Sequence, residues 1–262
     1  MEERQMKLCE EDEKQYLLSL EADPNNAVAH TNYGNLLQQM GRYEEAEKQH
    51  LLALETDPNN ADARNNYGTL LEITGRKEEA GKQYLLALEA DHNHAAAHYN
   101  YGNILSEMGR YEESEKHYLL ALEAYPNNAT VHNSYGVLLG SMGRKEEAEE
   151  QYKLALEANP NDAATYSNYG ILLKEMGLYD KAEKQYLLAL KSDPNNAIAH
   201  YNYGNLLEEM ERYKEAEKQY LLALEADPTN VDTHYNYGIL LEEMGREEEA
   251  KIQYKLALED KT

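Results

Sequence analysis

The sequence predicts an all-α solenoid of helix-turn-helix units, on three observations. A Tyr-Gly pair returns every 34 residues, at Tyr33-Gly34, Tyr67-Gly68, Tyr101-Gly102, Tyr135-Gly136, Tyr169-Gly170, Tyr203-Gly204 and Tyr237-Gly238. A fixed period of this size marks stacked supersecondary units. Within each period two stretches carry apolar residues at helical spacing, and none alternates as a strand would. Glycine and Asp-Pro-Asn-Asn signals fall at the same two places in successive periods, as helix stops and starts do. Such a fold has no single globular core and offers a long curved surface, so function is sought there rather than in a buried pocket.

The elements follow in order. Residues 1–26 hold only the second helix of a unit, because Tyr16, Ala22 and Pro24 match Tyr220, Ala226 and Pro228 in phase. In residues 27–60 the first helix shows Ala29, Tyr33, Leu36, Leu37 and Met40 on one face, and Gly41 ends it in the left-handed region. A second helix carries Tyr43, Ala46, His50, Ala53 and Leu54, and stops at Asp57-Pro58 because proline pushes the preceding residue out of the helical region. Asn59 and Asn60 stand where they can cap the next helix. The same grammar covers 61–94, 95–128, 129–162, 163–196, 197–230 and 231–262, giving fourteen helices in seven units. Glu211 replaces the turn glycine of the sixth unit and His92 the proline of the second, which predicts local strain or looseness at both. Small residues recur at Gly34 and its equivalents and at Ala46, Ala80, Ser114, Ala148, Ala182, Ala216 and Ala250. A helical glycine costs roughly 1 kcal/mol against alanine, so its recurrence predicts backbone contact between paired helices.

The unit resembles a tetratricopeptide repeat. In 197–230 the matching residues are His200, Tyr203-Gly204, Leu207, Ala216, Tyr220, Ala223 and Pro228. The resemblance covers residues 27–262 and implies a right-handed α-solenoid whose concave groove binds proteins or peptides. His stands where Trp is usual, and Tyr where Leu and Phe are usual. These departures keep volume and helical phase.

There is no Phe or Trp, but there are 23 Tyr. Each hydroxyl needs water or a partner, which predicts rings near interface edges with the OH reaching outward. The balance of 49 acidic against 25 basic residues gives −24. Nucleic-acid binding runs on clustered Lys and Arg, so nucleic acid and anionic membrane surfaces are excluded as partners, and neutral or basic polypeptides are favoured. One cysteine, Cys9, rules out an intramolecular disulfide. Met1-Glu2-Glu3-Arg4 offers no signal core and no run approaches a transmembrane span, so the expected location is cytoplasmic. The partial unit at one end and the bare unit at the other raise self-association through uncapped ends.

Variation between units points to the binding face. A stripe on the first helix carries Asn32, Asn66, Asn100, Ser134, Asn168, Asn202 and Asn236. Asparagine is mediocre in a helix interior, but its amide can both donate to and accept from an extended peptide backbone. The row resembles the asparagine ladder of O-linked N-acetylglucosamine transferases, which implies grip on a peptide main chain; the alternative is that these amides bond to the adjacent unit. Beside it lie Asn35, Asn103 and Asn205, then Tyr99, Tyr201 and Tyr235 as flat amphipathic contacts, with Val137 and Ile171 as an apolar stretch. Glu72, Glu107, Glu175, Glu208, Glu209, Glu242 and Glu243 give acidic walls suited to Lys- or Arg-bearing segments.

No nucleophile pairs with a base, and no cofactor is expected. His30, His98, His132, His200 and His234 occupy one packing position. His92, His94 and His98 form the one local cluster, without the further ligands a zinc site needs. Glu-rich second helices such as Glu44-Glu45 and Glu247-Glu248-Glu249 read as solvated faces with i,i+4 Lys partners. The expected function is a non-catalytic scaffold binding an extended peptide. The alternatives are the substrate-recognition region of a larger enzyme such as a glycosyltransferase, and a self-assembling scaffold.

Overall fold

The computed structural model describes residues 2–259, with side chains for Cys9 and residues 11–258. Met1 and the last three residues of the predicted unit 231–262 lie outside the described residues. The described elements are all helices: α1 (Glu2–Ala22), α2 (Ala27–Gln39), α3 (Tyr43–Thr56), α4 (Ala61–Ile73), α5 (Lys77–Ala90), α6 (Ala95–Glu107), α7 (Tyr111–Ala124), α8 (Ala129–Ser141), α9 (Lys145–Ala158), α10 (Ala163–Glu175), α11 (Tyr179–Ser192), α12 (Ala197–Glu209), α13 (Tyr213–Ala226), α14 (Val231–Glu243) and α15 (Glu247–Glu259). The chain divides into two compact units, Met1–Pro126 with α1 to α7 and Asn127–Thr262 with α8 to α15.

The boundaries are set by local chemistry. Asn26, Asn60, Asn196 and Asn230 cap their helices by accepting from the backbone N–H three residues on, which satisfies a donor that has no partner inside the helix. His94 does the same with its Nδ1 at 3.1 Å from the Ala97 N–H. At the other end Arg42 N–H reaches the Leu37 carbonyl and Gly41 N–H the Gln38 carbonyl, a Schellman closure that needs a left-handed residue between. Gly41 supplies it with φ 73°. Glu211 adopts φ 59° in the same role, so the expected strain is present: a side chain there costs about 1–2 kcal/mol in that region. At His92 the expected looseness is absent. Asp91 still accepts from Asn93 N–H at 3.0 Å and from His94 N–H at 3.2 Å, so the turn keeps its form without proline.

Within each unit every first helix packs on its partner second helix, and each second helix on the next first helix. Consecutive first helices also touch: α2 with α4 and α4 with α6 in one unit, α8 with α10, α10 with α12 and α12 with α14 in the other. Consecutive second helices do not touch among the described residues. Each unit therefore bends with its first helices on the inner face.

The recurrent helical glycine has a different cause from backbone contact. A Cβ on Gly68 would lie 2.5 Å from Tyr84 Cε1, and one on Gly204 2.7 Å from Tyr220 Cε1. The first helix leaves a notch, and the ring of its partner helix fills it. Tyr84, Tyr186 and Tyr220 are fully buried there, so these tyrosines are core residues rather than edge residues. In the first pair the ring is His50, also fully buried, with neither ring nitrogen hydrogen-bonded. The small residue on the second helix does meet backbone: Ser114 donates to the Gly102 carbonyl at 2.7 Å.

A polar bridge joins successive pairs. Arg212 grips Glu215 through Nε and Nη2 and reaches across to Glu183 at 2.8 Å, while the Tyr203 hydroxyl donates to the same Glu183. The pattern recurs as Arg42 with Glu45 and Glu13, Arg76 with Glu79 and Glu47, and Arg246 with Glu249 and Glu217. The glutamates of the second helices are thus held mainly by arginine from the turn, rather than by lysine one helical turn away. Lys153–Glu149 at 2.6 Å is an i,i+4 pair of the expected kind.

Candidate functional face

In each unit the first helices present two adjoining rows on the inner face. The first is the asparagine row, and the structure ties it laterally. Asn100 donates to Asn65 Oδ1 at 2.9 Å, Asn168 to Asn133 Oδ1 at 3.1 Å, and Asn66 accepts from Asn65 at 3.3 Å. Asn236 donates to the Tyr201 hydroxyl at 2.9 Å and to Asn205 Oδ1 at 3.0 Å. Asn32 is exposed and Asn202 half-buried. An amide offers two N–H groups and an oxygen with two lone pairs, so one lateral bond from Asn100 or Asn168 orients the group and leaves its oxygen open. The adjacent-unit alternative is therefore realised at three of these positions, Asn100, Asn168 and Asn236, alongside whatever they offer outward, while the Asn65–Asn66 bond stays within α4.

The second row collects hydroxyls from behind. Tyr118 donates to Asn103 Oδ1 at 2.7 Å and Tyr220 to Asn205 Oδ1 at 2.7 Å. Tyr84 reaches Glu72 at 2.8 Å and Tyr220 also faces Glu208. Asn205, Tyr201, Asn236, Tyr220 and Glu208 thus form one network in the second unit. Asn35 is half-buried, as are Tyr99 and Tyr201, while Tyr235 is 55% exposed. Each of these three tyrosines stands against the ring of its partner helix: Tyr99 on Tyr118, Tyr201 on Tyr220 and Tyr235 on Tyr254, at 6.1, 6.4 and 5.7 Å between centroids.

Charge is uneven along this face. Glu107 pairs with Lys77 at 2.6 Å and Glu209 with Lys174 at 2.7 Å, and Glu175 has Lys145 at 3.8 Å. Among the described residues no cation lies within ion-pair distance of Glu208, Glu242 or Glu243. Burial pushes the Glu208 carboxyl above its ordinary range, against the pull of the Tyr220 hydroxyl, and the charges of Glu243 and Glu209 push it further. An added cation there would relieve like-charge repulsion.

The histidine column is structural. His30, His200 and His234 each place Nδ1 at 2.7 Å from a glutamine on the partner helix (Gln49, Gln219, Gln253) and Nε2 on the carbonyl of the preceding loop proline. His98 faces His117 Nδ1 to Nδ1 at 2.8 Å, an arrangement with room for one proton, and burial draws His117 down to about 4. His92 and His94 turn to other partners. Among the described residues no three potential metal ligands gather.

Sequence reading missed Gly140. With Val137, Ile171, Leu172 and Tyr152 it opens a pocket of about 220 Å³ between α8 and α10, rimmed by Ser141, Asn168 and Glu175. Val137 and Ile171 had signalled an apolar stretch. The concavity comes from the missing side chain between them.

Family profiles described as tetratricopeptide repeat match residues 93–161, residues 168–231, and three stretches at 16–48, 51–82 and 220–252. No curated protein matches the chain in sequence. Among solved structures, Pseudomonas aeruginosa PilF is 26% identical with a TM-score of 0.68, over 79% of this chain and 94% of that one. YrrB, described as a tetratricopeptide repeat protein with an unusual peptide-binding site, is 27% identical with a TM-score of 0.53, over 70% and 95%. A tetratricopeptide repeat protein from Parabacteroides merdae shares the fold at 19% identity and a TM-score of 0.72, over 89% and 92%.

Proposed function

Because this chain belongs to the tetratricopeptide repeat family, we propose that it is a non-catalytic interaction scaffold that holds an extended peptide on the inner face of its first helices. The observation that carries this reading is the row of Asn32, Asn66, Asn100, Asn168, Asn202 and Asn236, one in each helix pair except α8–α9, which has Ser134. Lateral bonds hold Asn100 and Asn168 with their carbonyl oxygens unspent. Preoriented amides grip a main chain without selecting its sequence. Asn35, Asn103 and Asn205 extend the row, and Tyr99, Tyr201 and Tyr235 add broad contacts of low conformational entropy. The unpaired Glu208, Glu242 and Glu243 favour a neutral or basic peptide. The peptide-binding description of YrrB supports the same reading.

The test is a titration of the double variant Asn100→Ala, Asn202→Ala with lysine-containing ten-residue peptides from an array. Binding should weaken about tenfold or more, as for two lost main-chain hydrogen bonds of about 1 kcal/mol each. Helical circular dichroism should hold, although Asn65 loses a partner. Equal affinity for both proteins would remove the asparagine row from the site.

A further inference from the structure

We infer that the pocket at Gly140 selects one leucine-sized apolar side chain of the bound peptide, with basic residues beside it; this rests on the peptide-holding reading above and specifies it. The argument starts from the glycine. Its position in the repeat is filled elsewhere by Gln38, Glu72, Ser106, Lys174, Glu208 and Glu242, so the fold accepts any side chain there. A Cβ on Gly140 would find only Leu172 Cδ1, at an ordinary 3.8 Å. The notch glycines such as Gly136 are different, since a Cβ there would meet the Tyr152 ring at 2.8 Å. Gly140 therefore carries the penalty of a glycine inside a helix with no packing reason, and what its bareness creates is the hollow.

The walls also depart from the rest of the row. Where other pairs place an asparagine or glutamate to accept the tyrosine hydroxyl, this one has Val137 and Gly140. The Tyr152 hydroxyl is left with no hydrogen-bond partner among the described residues. The next pair has Ile171 and Lys174, and the buried Tyr186 hydroxyl is likewise unpartnered. The lining is thus apolar, with unspent polar atoms at its edge. At about 220 Å³ it holds several times the roughly 30 Å³ share of one water, yet it falls below the roughly 300–1,000 Å³ of small-molecule sites. A single peptide side chain fits that range. Charge selects what lies beside it: Glu175 stands at the rim, and Glu208, Glu242 and Glu243 lie unpaired on α12 and α14, the next first helices in line. An anchor with lysine or arginine nearby is the complementary ligand.

Two fluorescein-labelled peptides test this. Both are Gly/Ser decapeptides with two lysines on each flank; one has a central leucine, the other a central serine. The native chain should bind the leucine peptide about tenfold or more tighter. In Gly140→Leu, which fills the hollow, the two affinities should converge, while the melting temperature stays at or above native because a helical glycine is gone. Equal affinities in the native chain, with binding still lost in the asparagine double variant, would overturn the pocket and spare the groove. A preference that survives in Gly140→Leu would likewise overturn it. Failure of both peptides to bind would overturn pocket and groove together.

Discussion

His50 carries a cost that its tyrosine counterparts largely avoid. It fills the Gly34 notch, fully buried, with both ring nitrogens unpaired. Leaving a buried polar group unsatisfied costs about 1–3 kcal/mol. Burial also draws its pKa down to about 4. A group depressed in the folded state contributes stability fully above its unfolded value, near 6.5, and loses it as pH falls through the folded value. The window is therefore about pH 6.5 to 4. Two other pairs show the remedy: Tyr118 and Tyr220 extend past the notch to Asn103 and Asn205, and Asn35 stands at the same place in the first pair. His50→Tyr should raise the urea midpoint at pH 7 by the equivalent of about 1–2 kcal/mol. The gain should widen between pH 6.5 and pH 4.5. A gain that does not change with pH would mean the imidazole is already charged or hydrated in the folded protein.

At the level of elements, successive helix pairs are joined by more than apolar contact. Glu183 on α11 accepts from Tyr203 on α12 and from Arg212 at the start of α13, so one carboxylate ties three helices. The hydrogen bond from Arg212 holds its carboxyl below the ordinary range, opposed by burial and assisted by Tyr203. The sign is the carboxylate one: the contribution is complete above the unfolded pKa near 4.3 and disappears as pH falls below it. Glu183→Gln should cost about 1–2 kcal/mol at pH 7, read as a lower urea midpoint, and the gap to native should narrow as pH falls below about 4.3. A gap that does not narrow there would assign the loss to packing. Part of this device was legible in the sequence. The periodic Tyr33, Tyr67 and their successors set the helices, and the phase of Gly41 and Pro58 set the turns, because both act within a few residues. The arginine bridge was not legible, since Arg212 and Glu183 are 29 residues apart and only stacking brings them together. The ring in the glycine notch escaped for the same reason: Gly68 and Tyr84 are paired by the fold, while glycine alone reports only that something approaches.

Across the whole molecule the charge of −24 acts on folding and on recognition with opposite dependence on salt. A large net charge of one sign destabilises a compact chain through self-repulsion. That repulsion acts over long distances, and salt cuts its range from about 30 Å at 0.01 M to about 8 Å at 0.15 M. The favourable pairs act at short range: Arg42–Glu13 and Arg76–Glu47 sit at 2.7 Å and are partly shielded from water, so screening reaches them least. Repulsion should therefore lose more than attraction when salt is added. The apparent melting temperature is expected to rise between 0.01 and 0.15 M sodium chloride, at about 2–4 °C for each kcal/mol of repulsion relieved. Capture of a lysine-bearing peptide relies on attraction to Glu208, Glu242 and Glu243 at the rim of the inner face, so the same addition should weaken binding, chiefly by slowing association. Scanning calorimetry and stopped-flow binding on one salt series read both quantities. A melting temperature that falls with salt would show that the ion-pair network, not net repulsion, dominates the electrostatics of the fold. An association rate that does not respond to salt would remove the acidic residues from the encounter and leave peptide choice to shape alone.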